Sequence, residues 1–117
     1  MYTEELNRVG RKHVSGFISV YALDQLPSKN LLQPPPSRFI VNTDTKNLPG
    51  EHWIAVSYEI GGVVYAFDPL GTFYPLVLCN YLKGLSCRRV VFNTTMYQNP
   101  MLATCGMHCL RWLMSRT

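Results

Sequence analysis

Cys105 is the residue around which chemistry can be built. It follows the loop Met101-Leu102-Ala103-Thr104 and stands at the start of an expected helix. Unpaired N–H groups at a helix start, together with the helix dipole, stabilise a thiolate. A free cysteine is also commonly a small buried core residue, so the thiol needs partners before it reads as a nucleophile. Three residues qualify. His52 can accept the thiol proton and later return it to a leaving amine. Asp68 can accept the imidazole N–H and fix its tautomer. Gln98, seven residues before Cys105, can donate its side-chain amide to an oxyanion together with the Cys105 N–H. Each has a plainer alternative: a hydrogen-bonded surface histidine, a turn-capping aspartate before Pro69, and a polar loop residue. Gly106 beside the nucleophile is read as leaving room for a substrate backbone.

The elements that must position these residues can be read from pattern. Thr3–His13 reads as a helix, opened by Glu4 and Glu5 and closed by Arg11, Lys12 and His13, in keeping with the helix dipole. Residues 17–26 are apolar and fit strand or helix equally. Residues 31–37, with Pro34-Pro35-Pro36, read as a stiff loop. Residues 38–42 read as a strand. A hairpin follows: strands at 52–58 and Val63–Phe67 flank Gly61-Gly62, which suits a turn with positive φ. That turn brings His52 and Asp68 to one open end. Residues 75–84 read as a helix between Pro75 and Gly84, Arg89–Phe92 as a strand, 93–104 as a loop, and 105–115 as a helix with Leu110, Leu113 and Met114 as its apolar stripe. The order implies an α+β domain spanning 1–117, with a small central sheet and the nucleophile on a C-terminal helix.

With His52, Asp68, Gln98 and Cys105 in that order, the chain resembles adenain, the adenovirus cysteine protease family. Gly50-Glu51-His52-Trp53-Ile54-Ala55 resembles its Gly-x-His-Trp segment. Ala66-Phe67-Asp68-Pro69-Leu70-Gly71 resembles its strand-end acid and Pro-x-Gly. Gln98 and Ala103-Thr104-Cys105-Gly106 resemble its glutamine and nucleophile segment. Segments 17–27 and 39–44 are similar to N-terminal parts of adenain-like proteases, including those of Maverick-type transposons and related DNA viruses. The order is shared with Ulp-type SUMO proteases and is a permutation of papain's, so the resemblance implies a compact, permuted papain-like fold. It also implies that the Trp53 ring borders the active-site histidine, although a core aromatic would read the same way. Adenain usually has Glu at the Asp68 position; Asp does the same chemistry. Adenain is also longer and continues past the nucleophile helix, so grooves and cofactor sites built there are expected to differ.

The resemblance implies a thiol endopeptidase that processes viral precursor proteins during virion maturation, at sites with glycine near the scissile bond. It implies the host nucleus and the virion as locations, and a monomer. The chemistry itself requires no cofactor. By resemblance, DNA and a disulfide-linked peptide would activate the enzyme, with Cys79 and Cys87 as open candidates for that link or as core residues. The formal net charge of +4 allows a DNA partner and equally suits a solubilising surface.

Three other functions compete. A Ulp-type isopeptidase would use the same residues on ubiquitin-like proteins. A zinc module could draw on Cys105, His108 and Cys109 with Cys79 or Cys87, but no Cys-x-x-Cys pair is present. A DNA-binding module would need a basic stripe, and no helix is read as carrying one. Met1 to Glu5 carry acids where a secretory signal carries basic residues, and no run reaches the roughly 18 apolar residues of a membrane span. The expectation is therefore an intracellular protein, not membrane-bound, with its four cysteines reduced. A Cys105–Cys109 disulfide would be strained by its one-turn spacing.

Overall fold

In the computed structural model, five strands form one mixed sheet in sequence order: β1 (Phe17–Ala22), β2 (Ser37–Asn42), β3 (Trp53–Glu59), β4 (Val63–Phe67) and β5 (Arg89–Phe92). The structure describes residues 3–43, 52–71, 74–85, 89–93 and 105–116, with Cys105 described by its backbone. Among the described residues, three α-helices accompany the sheet: α1 (Thr3–His13), α2 (Leu76–Lys83) and α3 (Cys105–Met114). The expected α+β class and small sheet are what is observed.

The central hairpin is antiparallel, with Ala55 opposite Phe67 and Glu59 opposite Val63. Gly61 and Gly62 turn it with φ of 99° and 82°, a region closed to most side chains. β2 pairs antiparallel to β3. Both outer pairs are parallel, β1 with β2 and β4 with β5. Residues 17–26, ambiguous in sequence, become the edge strand β1 followed by a turn. The side-chain oxygen of Asn7 accepts the Val20 N–H at 2.9 Å, so α1 satisfies part of that edge. The stretch read as a stiff loop begins inside a short 3-10 turn, Lys29–Leu32, and ends where β2 begins.

Alternation along the strands divides the core into two layers. Phe39, Val41, Ile54, Val56, Tyr58, Val64 and Ala66 face α2, which contributes Leu78 and Leu82. Ile40, Trp53, Ala55 and Phe67 face the other side, where α1 supplies Leu6 and α3 supplies Cys109, Leu110 and Leu113. Met114, expected in the α3 stripe, packs at the margin of that layer.

Contacts along α3 fix its direction. Gly106 packs on Trp53, Cys109 Sγ donates to the Trp53 carbonyl at 3.3 Å, and Trp112 stacks on Phe67 with ring centroids 5.1 Å apart. Arg116, just beyond the helix, reaches Glu59 at 3.5 Å. The helix therefore runs along β3 from its Trp53 end to its Glu59 end.

At that far end Arg38 is 3% exposed. Its guanidinium donates to Ser57 Oγ at 3.0 Å, the Ser15 carbonyl at 2.7 Å, Glu59 Oε2 at 3.0 Å and the Arg116 carbonyl at 3.2 Å. Arg116 in turn lies over the rings of Tyr65 and Trp112, 4.2 and 4.1 Å from their centroids. Breaking a buried charged network by removing one partner is strongly destabilising. Arg38→Ala should lose about 3 kcal/mol of stability, read as a lower urea midpoint, and the volume-conserving Arg38→Met should lose less.

Candidate active site

His52 precedes β3 and Asp68 follows β4, so the hairpin brings both to the end of the sheet opposite its own turn. The histidine backbone is anchored first. Thr43, fully buried, donates its N–H to the His52 carbonyl at 2.9 Å and its hydroxyl to the same oxygen at 3.2 Å. This extends the β2–β3 ladder one residue past the Asn42–Trp53 pair.

The side chains of His52 and Asp68 meet. Nε2 lies 2.9 Å from Asp68 Oδ1, with the imidazole 12% exposed and the carboxylate fully buried. A proton on Nε2, the nitrogen beside the carboxylate, would leave Nδ1 as the basic nitrogen of the neutral ring. Asp68 Oδ1 also accepts the Leu70 N–H at 3.0 Å, and the Asp68 carbonyl accepts the Gly71 N–H at 2.8 Å. The plainer reading of Asp68 as a turn-capping residue is thus also true: one carboxylate oxygen serves the turn and the imidazole together.

The backbone of Asp68 is held by two residues that pattern reading did not single out. Asn93 accepts the Asp68 N–H on Oδ1 and donates Nδ2 to the Asp68 carbonyl, both at 2.8 Å. The Tyr74 hydroxyl lies 3.0 Å from the Asp68 nitrogen and in hydrogen-bond contact with Asn93 Oδ1. Burial pushes the Tyr74 phenol well above its ordinary range, so it stays a neutral hydroxyl. Neither had a sequence signal: Asn93, just past β5, falls beside the end of β4 only because the two strands pair in parallel, with Ala66 beside Phe92.

Because α3 runs from Trp53 toward Glu59, its first residue, Cys105, stands at the His52 end of β3. Trp53 is 3% exposed and is both a core aromatic and the chain neighbour of His52. Gly106 departs from expectation. It is buried, and a Cβ there would lie 3.0 Å from Leu6 Cδ2 and 3.5 Å from Trp53 Cδ1. Its missing side chain lets the helix start approach α1 and β3; the space is filled by core atoms, not left for a substrate. Cys87 lies outside the described residues, as do Gln98, Thr104 and the other residues between Asn93 and α3.

Other candidates find different places. Cys109 is fully buried and its thiol is committed to the Trp53 carbonyl. Cys79 is a half-buried free thiol on α2, with its Sγ 3.7 Å from the Tyr74 carbonyl. His108 is half-buried one turn into α3. Among the described residues, no group of three or more His, Cys, Asp and Glu side chains could hold a metal ion. The reading that no helix carries a basic stripe needs correcting: Arg8, Arg11 and Lys12 recur at helical spacing on α1 and all are exposed.

Comparison with known proteins adds an independent line. No protein-family model matches the sequence. Two curated relatives do: the protease of porcine adenovirus A serotype 3 is 32% identical over 89 residues, covering 63% of this chain and 44% of that protein. The protease of bovine adenovirus C serotype 10 is 31% identical over 88 residues, covering 63% and 45%. The chain thus spans less than half the length of the curated relatives it matches. Among solved structures, the ASFV protease superposes with a TM-score of 0.63 at 16% identity, covering 97% of this chain and 54% of that one. The central domain of an uncharacterized Legionella pneumophila protein superposes with a TM-score of 0.52 at 15% identity, covering 99% and 75%. At these identities the structural matches establish the fold.

Proposed function

We propose that this chain, adenain-like in sequence and fold, acts as a cysteine endopeptidase with Cys105 as nucleophile. The observation that carries the reading is the His52–Asp68 pair, 2.9 Å apart with the carboxylate fully buried, at the end of the sheet where α3 begins. Its placement suits a base oriented by a carboxylate, and the start of a helix suits a thiolate.

In the proposed cycle Nδ1 of His52 takes the Cys105 proton while Asp68 holds Nε2–H. The thiolate attacks the scissile carbonyl carbon, forming a C–S bond and moving the π pair to oxygen. The Cys105 N–H and the Gln98 amide donate to that oxyanion. Collapse expels the amine, which takes its proton from the imidazolium, and leaves a thioester. Water, deprotonated by His52, then releases the acid and the thiol. Gln98→Ala should lower kcat by about 10²–10³-fold with KM little changed, the signature of a donor used in the transition state. Steady-state kinetics on a fluorogenic peptide would read this directly.

The substrates in this reading are viral precursor proteins cut at glycine-containing sites during virion maturation, in the infected nucleus and the particle. The Ulp-type alternative shares the catalytic residues. A panel of glycine-containing viral-type peptides, ubiquitin and SUMO fusions separates them: cleavage of the peptides alone supports the endopeptidase, and cleavage after a ubiquitin-like tail overturns it. Activation by DNA belongs to the same proposal, and the exposed Arg8, Arg11 and Lys12 on α1 are suited to phosphates. It would appear as a rise in kcat/KM with duplex DNA that fades with salt. Among the described residues, no helix is long and apolar enough to cross a membrane.

A further inference from the structure

Asp68 is held from two sides. Its carboxylate faces His52 and the Leu70 N–H, and its peptide group is gripped by residues from other parts of the chain. Asn93 closes a two-point clamp on it, receiving the Asp68 N–H on Oδ1 and returning Nδ2–H to the Asp68 carbonyl, each at 2.8 Å. The Asn93 N–H reaches the Ala66 carbonyl at 3.3 Å, so the clamp is continuous with the β4–β5 ladder. Tyr74 braces it. Its hydroxyl sits among the Asp68 nitrogen, the Ala66 and Asn93 carbonyls and Asn93 Oδ1, and its ring packs edge-on against Phe92 with centroids 4.8 Å apart. Asp68 lies just past the last paired residue of β4. The clamp ties the strand end carrying the carboxylate to β5 as well as to its own turn.

We infer that Asn93 and Tyr74 are positioning residues that fix the carboxylate of Asp68 on His52. The inference rests on the catalytic reading above. An amide is suited to the task because it presents one acceptor and two donors in a plane, matching the N–H and C=O of a single residue. The tyrosine hydroxyl adds both a donor and an acceptor without a charge that would compete for the imidazole. Partners of this kind hold a functional group in its working orientation and typically change activity about 10–100-fold when removed.

The test reads the imidazole itself. In wild-type protein, proton NMR should show a low-field, exchange-protected Nε2–H signal from His52, absent in Asp68→Ala. In Asn93→Ala the signal should be lost or broadened, with kcat down about 10–100-fold and KM little changed. Tyr74→Phe, which keeps the ring on Phe92 and removes only the hydroxyl, should weaken it. Arg38→Met serves as the control for plain destabilisation: it should lower the melting temperature and keep the signal. If wild type shows no such proton sensitive to Asp68→Ala, the His52–Asp68 reading falls, and the positioning role with it. If wild type shows it and every folded Asn93→Ala or Tyr74→Phe protein retains it unchanged, the positioning role alone is overturned.

Discussion

Replacing Cys105 with alanine should reduce peptide hydrolysis to background, a loss on the order of 10⁶-fold in kcat. Nothing else in the proposed site can form the acyl intermediate. Cys109, the nearest cysteine in sequence, is fully buried and donates to the Trp53 carbonyl. The folded state should scarcely notice the change, because alanine is well suited to a helix and the contacts that seat α3 belong to Gly106, Cys109, Leu110, Leu113 and Trp112. The melting temperature should stay near wild type while turnover vanishes. His52→Ala should lose about as much, and the double variant should be no worse than either single one, since nucleophile and base act as a unit. A double variant that multiplied the two losses would mean the residues work separately.

Asp68→Ala should cost on the order of 10³–10⁴-fold in kcat/KM, the scale of removing the group that orients a catalytic histidine. The structure adds a sharper expectation for Asp68→Asn. Elsewhere, turning such an aspartate into an amide can force the wrong imidazole tautomer. Here the same oxygen, Oδ1, meets both His52 Nε2 at 2.9 Å and the Leu70 N–H at 3.0 Å. Two donors at one position select the amide oxygen and exclude the amide nitrogen. The tautomer should therefore survive, and only the negative charge that stabilises the imidazolium is lost. Asp68→Asn should retain at least tenfold more activity than Asp68→Ala, on the basis that orientation is the larger part of the effect. Equal activities in the two variants would show that charge, not orientation, dominates.

The parts of this molecule legible in its sequence are those set by local chemistry. Charges at both ends of α1, Pro75 and Gly84 around α2, and Gly61-Gly62 between two apolar runs each state a boundary, and the elements lie where those signals put them. The hairpin turn alone sufficed to bring His52 and Asp68 to one end, because an antiparallel pair makes the positions before and after it neighbours. What local chemistry does not encode is which strands become neighbours across a crossover. Residues 17–26 carry no alternation that separates strand from helix. Their identity as β1 comes from parallel pairing with β2, a tertiary effect. The same limit hid Asn93, whose role exists only because β5 lies parallel to β4. It also hid Arg38, which reads as an ordinary strand residue until Ser57, Glu59 and the end of α3 surround it. Gly106 was misread for a related reason: a glycine beside a nucleophile suggests open space, and only the packing of Leu6 and Trp53 reveals that the space is occupied.

The central claim is that His52 ionises Cys105. It is tested most directly by alkylation with iodoacetamide across pH, with each modified cysteine mapped by mass spectrometry in wild type and in His52→Ala. The expected result is that Cys105 reacts first, ionising well below the ordinary cysteine value of about 8.5, and that this advantage disappears without His52. Cys105 reacting no faster than the half-buried Cys79, with the same pH profile in both proteins, would contradict the account.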